Sequence, residues 1–401
     1  MSTPPRIETE ADRVSAPEVP ADAPRTNRWY LSSAPIVSAL LHLCVPMAAA
    51  MIVGAIYNLI NAGFIGSLDN TALLAAVTLG SPILGLVMGV GNVFGVGGGA
   101  LVSRLLGGAE RDPSKAATIK RVASCSLWGS VVAGAAVATG LANLVVVTYF
   151  VVWLTRNSEH VSLSPRWFTL AGSVQKPVLG VGVGTLLQSA FLIVTALVLN
   201  NLAAAYGEGP LAAMGVAVRI AQVPEFLIMG VTIGVLPLLA YSYGKGDGAR
   251  FGSALRASAI TVGAVAALAA TLVLCFRDQV FTLFVADESV LAVGVVVLAA
   301  QLIAMIANGF TGLITSLFQA TGRALPATIM SAAQGVLFIP IVIAGSIWFG
   351  LAGIIWALTV TEVAVLAVGV VLCVALAPAL KRGLAEGNAE RAEEALEMAA
   401  A

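Results

Sequence analysis

Nine long apolar stretches dominate this chain and leave little room for any fold outside a bilayer. They cover about 37–66, 71–103, 122–155, 177–207, 209–244, 257–276, 289–322, 324–347 and 351–380. Only three charges interrupt them: Arg219, Glu225 and Glu362. About 20 helical residues cross a bilayer core. Most of the stretches are longer, which predicts tilted or projecting helices. They do not alternate apolar and polar residues, as the lipid face of a barrel requires, so helices rather than strands are expected. Only 10% of the 401 residues are charged, against roughly a quarter in soluble domains. Residues 1–30 carry nine of those charges and 381–401 carry eight. A soluble enzyme is excluded on these grounds. The net charge of zero gives no field for nucleic acid. The expected fold is an all-α polytopic membrane protein with about nine transmembrane segments.

The remaining chemistry is sparse. Cys44, Cys125, Cys275 and Cys373 lie in apolar runs without paired or metal-ligand spacing, and read as small core residues. His42 and His160 belong to no cluster, so no cofactor, metal or enzymatic activity is expected. Residues 1–34 are polar and proline-rich. They lack the apolar core of a signal peptide and read as a disordered tail. The tail 381–401 is rich in helix formers but too short to be a stable helix alone.

Loop charges give an orientation. The 104–121 loop carries Arg104, Arg111, Lys115, Lys120 and Arg121, whereas 65–72 carries Asp69. Positive loops stay in the cytoplasm, so the N-terminus is expected there, and the C-terminus with it. The run 122–155 is the difficult one. As a single helix it would reach about 51 Å, well beyond a core of about 30 Å. Two full spans need more residues than it has. A single crossing would spread positive loops over both sides. The rule therefore favours a bent or re-entrant pair broken near Gly129–Gly140, with 156–176 in the cytoplasm. One long tilted helix is the alternative.

The sequence also echoes itself. YNLINAGFIGSL (57–68) and the following GALVSRLLGGAE (99–110) are answered by NNLAAAYGEGPLAAMGVAVRI (200–220) and MGVTIGVLPLLAYSYGKGDGAR (229–250). Asn58 matches Asn200, Gly66 matches Gly207, and Ser103 matches Ser242. A duplicated lobe with a site between the copies is expected.

These strings resemble the MATE family of multidrug and toxin extrusion transporters, in its DinF-like branch. The resemblance covers most of 37–380. It implies two facing six-helix lobes and a cation-coupled antiporter, using protons or sodium. Such a protein would export amphipathic or cationic small molecules across the inner membrane of a bacterial cell by alternating access. This chain departs from the pattern twice. The second lobe, 177–380, has six runs, but the first, 35–156, has three, followed by a cytoplasmic linker over 157–176. In YNLIN the family commonly ends on aspartate, where this chain has Asn61, which cannot ionise. A lipid-linked precursor flippase of the same superfamily, or a shortened paralogue without transport, are the competing readings.

Glu225, Glu362 and, by position, Asn61 are the cation-coupling candidates. A charge at membrane depth costs about 2.5–3.5 kcal/mol on insertion scales and so needs a partner. Arg219 and Glu225 are six residues apart, roughly 120° around a helix, which argues against a direct pair. Pro224 between them could change that by a kink. The substrate-cleft candidates are Asn58, Gln188, Asn200, Arg219, Gln301 and Asn308, from a wider polar set that includes Asn201, Gln319 and Gln334. The competing role for each is to join helices by hydrogen bonds.

Overall fold

The computed structural model describes residues 27–67, 71–109, 118–126, 172–282 and 288–400, and over 57–88 and 386–400 only their backbone. Every described element is a helix. In chain order these are α1 (Asn27–Ser32), α2 (Ile36–Ser67), α3 (Thr71–Ala109), a stretch over 118–126 (α4), α5 (Gly172–Ala204), α6 (Glu208–Lys245), α7 (Gly248–Cys275), α8 (Arg277–Thr282), α9 (Glu288–Ala320), α10 (Ala324–Phe349) and α11 (Leu351–Ala400). Seven are long and apolar enough to cross a membrane among the described residues.

Local chemistry sets the breaks. The sequence GKGDG stops one helix and starts the next. Gly246 takes the left-handed conformation (φ 71°), and its N–H donates back to the Ser242 and Tyr243 carbonyls. The carboxylate of Asp247 then accepts from the Arg250 N–H at 2.9 Å and caps α7. Gly322 (φ 70°) and Gly350 (φ 59°) make the corresponding turns before α10 and α11.

The helices define two ends. At one lie Tyr206, Gly350 and the exposed Trp348 and Phe349. At the other, hereafter the basic end, lie Arg104, Lys176, Lys245, Arg250, Arg323, Lys381 and Arg382. Arg277, at the aromatic end, is paired with Asp278 at 3.6 Å.

Small residues bring the lobes together. Gly97 and Gly182 of α3 and α5 leave room for the Val178 and Val93 carbonyls opposite them, and Gly89 faces Ser189. Gly230 and Gly234 of α6 face Ala48 and Cys44 of α2, and Gly244 faces the Arg104 carbonyl. So α2 lies on α6 and α3 lies on α5. Exchanging the pair α2–α3 with α5–α6 reproduces that pattern, as the sequence echo predicts. It also makes α5 antiparallel to α3, so α5 begins at the end where α3 finishes. Loop charges predict that arrangement for these two helices. The expected break within 122–155 falls mostly outside the described residues.

Both tails differ from expectation. Residues 27–34, assigned to the disordered tail, include α1, and Trp29, Tyr30 and Leu31 lie against the main core. Residues 381–400 are not a separate short helix but continue α11. The preceding span supplies the nucleus that an isolated segment lacks.

Candidate functional site

Five helices of the second lobe enclose a cavity of about 160 Å³. Helical spacing aims the lining. Gln301, Met305 and Asn308 recur at four and seven residues along α9. Val218, Ala221 and Glu225 recur at three and seven residues along α6, as do Leu192, Thr195 and Leu199 along α5, while Gln334 and Phe338 of α10 and Leu358 and Glu362 of α11 are four apart. The wall is apolar, and the polar side chains converge on one point.

That point is Glu362, 1% exposed. Its Oε1 accepts from Gln334 Nε2 at 2.5 Å and from Asn308 Nδ2 at 3.3 Å. Its Oε2 is equally buried and has no hydrogen-bond partner among the described residues. Glu225 lines the same cavity. Two acids thus share a low-dielectric space in which one oxygen is held by amides and the other is bare. A carboxylate in such a place needs a proton, a cation or a cationic partner. The scaffold behind it is fixed: Thr359 donates to the Ala300 carbonyl at 2.8 Å, tying α11 to α9.

The sequence candidates divide. Glu225, Glu362, Gln301 and Asn308 meet in this one cavity. Arg219, Gln188 and Asn200 are exposed and do not line it. No described ion pair joins Arg219 to Glu225, in line with their angular separation. Asn58 and Asn61 lie on α2, where the side chains are outside the described residues. Gln334 stood only in the wider polar set, yet it makes the shorter bond to Glu362. Replacing Gln334 with Leu should lower thermal stability by about 1–3 kcal/mol, because a buried acceptor loses a donor. An unchanged melting temperature in detergent would contradict this.

Long apolar helices, turns at two ends and a membrane-depth acid pair define a multi-pass α-helical membrane protein. Residues 181–344 match the MatE family model. Multidrug export protein MepA of Staphylococcus aureus (strain MRSA252) is 26% identical, over 83% of this chain and 92% of its own length. A MATE crystal structure in the straight conformation superposes with TM-score 0.78 at 17% identity, over 89% of this chain and 99% of its own. An outward-facing multidrug resistance MATE family transporter of the MOP superfamily gives TM-score 0.74 at 16% identity, over 88% and 98%. The second lobe thus carries the MatE match, and the chain shares the fold of the MATE structures. These matches do not distinguish its DinF-like branch.

Proposed function

We propose that the chain is a secondary transporter that exports amphipathic, cationic small molecules by antiport against protons or sodium, alternating access between two lobes. The observation that carries this reading is Glu362, its Oε1 held by two amides and its Oε2 bare, beside Glu225 in one cavity. The name of the MepA relatives supports the substrate class. Drug-sized sites occupy about 300–1,000 Å³, so a cavity of about 160 Å³ suits the coupling ion. Gln301 and Asn308 then serve the ion, and the substrate occupies the space between the lobes.

The contacts described across the lobe boundary run from Gly107, against the Tyr241 carbonyl, to Gly89. Beyond them toward the aromatic end, Leu192, Leu197 and Val218 are exposed. This supports a state closed at the basic end. With that end in the cytoplasm of a bacterial cell, the state is closed to the cytoplasm. With Cys275 replaced by Ser, Ser162→Cys should then resist an impermeant thiol reagent added to intact cells. Labelling from outside would overturn the orientation.

The flippase reading loses support, since a diphosphate headgroup needs several Lys or Arg in the cleft and Arg219 is the only such residue within the apolar stretches. A shortened paralogue without transport keeps one supporting observation. The MepA alignment spans 423 positions, more than the 401 residues of the chain, of which it uses 83%. The relatives therefore carry internal residues without counterparts here. Dye accumulation in efflux-deficient cells separates the readings. Export predicts lower retention on expression, and unaltered retention with the protein present in the membrane would favour the shortened paralogue.

A further inference from the structure

Helix α1 precedes the first lobe in sequence but is held by the second. Arg250, in the first turn of α7, donates from Nε to the Leu31 carbonyl at 2.8 Å. Its Nη1 donates to the Ala34 carbonyl and its Nη2 to the Tyr30 carbonyl, both at 2.9 Å. One planar guanidinium thus satisfies three carbonyls where α1 ends. Those of Tyr30 and Leu31 are groups that a helix C-terminus leaves without partners, and Ala34 lies in the turn that follows. Asp247, which accepts from the Arg250 backbone N–H, fixes the start of α7. On the other side, the Tyr30 ring stacks on His42 of α2, with centroids 3.8 Å apart and planes 10° apart. Residues 33–35 between α1 and α2 are not helical. Just beyond them α2 meets α6, where the Cys44 thiol donates to the Val231 carbonyl at 3.6 Å and Gly234 faces Cys44.

We infer that α1 is a strap across the lobe boundary and that Arg250 is its catch, holding the basic end closed. This rests on the reading of the two lobes as moving parts. When the lobes separate at that end, α2 leaves α6. The strap must then release from Arg250 or unfold through residues 33–35, so the three bonds weight the equilibrium toward the closed state.

Cys44 is a native reporter of that boundary, being 5% exposed between α2 and α6. With Cys125, Cys275 and Cys373 replaced by Ser, its alkylation by N-ethylmaleimide reads opening of the basic end. Arg250→Gln should raise the rate about tenfold, and Arg250→Lys by less, since an ammonium cannot fork across three carbonyls. Removal of residues 1–33 with Arg250 intact should give the same rise, which covers a poorly folding Arg250 variant. Gly234→Leu forces α2 from α6 and serves as the positive control. If that control raises labelling and the Arg250 variants and the truncation do not, the strap is refuted and the moving-lobe reading stands. If none raises it, both fall. A matching rise in a background that keeps only Cys373, which lies within the second lobe, would show general loosening and refute the strap.

Discussion

Replacing Glu225 and Glu362 together with Gln should abolish proton release when a lipophilic dye cation is added to the purified protein. It should also cut gradient-driven export at least about tenfold, the equivalent of about 1.4 kcal/mol of lost coupling. The amide imitates the neutral acid in size and hydrogen bonding but has no proton to give. Glu362→Gln alone should have the larger single effect. Its carboxylate is the buried one, fixed by Asn308 and Gln334 through Oε1 and bare at Oε2. If sodium is the coupling ion, the same variants should remove sodium dependence instead. Proton release and sodium response both unchanged in the double variant would sink the proposed role of the cavity.

The second large effect concerns packing, and neighbouring glycines should give opposite signs. An added Cβ at Gly97 would lie 2.4 Å from the Val178 carbonyl, a backbone atom that cannot step aside. Gly97→Ala must push α3 from α5 and should cost about 1–3 kcal/mol, as overpacked sites do. Gly95 and Gly99, in the same string, have nothing within 4 Å. There Ala removes the helix penalty of glycine and should be neutral, or stabilising by up to about 1 kcal/mol. Melting followed by size-exclusion chromatography would show the contrast. Equal shifts in all three variants would mean that α3 and α5 are not in close contact.

The same glycines show what the sequence could and could not convey. Helix positions were legible, because a bilayer demands long apolar runs and α5, α6, α9 and α10 begin and end close to them. Glycines four apart signalled close helix approach. At Gly230 and Gly234 both members meet α2, whereas Gly91 and Gly95 meet nothing within 4 Å. Spacing reveals a helix face but not the neighbour it meets. The cavity follows the same rule. Gln301 and Asn308 share a face by arithmetic along α9, but the bond between Gln334 and Glu362 joins two helices. Helix α1 left still less trace. Six residues do not make a stable helix alone, and its catch lies 219 residues later for Leu31.

Helix α6 takes part in both halves of the proposed cycle. Its middle carries Glu225 to the cavity wall, and the stretch from Gly230 to Gly244 bears on the first lobe. Pro224 stands immediately before the acid, where the missing N–H permits a bend. On the far wall, Gly345 and Gly353 bring the backbones of α10 and α11 together, so Gln334 and Glu362 are mounted on one stiff hairpin. The cavity therefore has one wall on that hairpin and the opposite wall on the helix that meets the first lobe. Whatever tilts α6 against the first lobe swings Glu225 relative to Glu362, and the gap between two carboxylates becomes the gauge of lobe position.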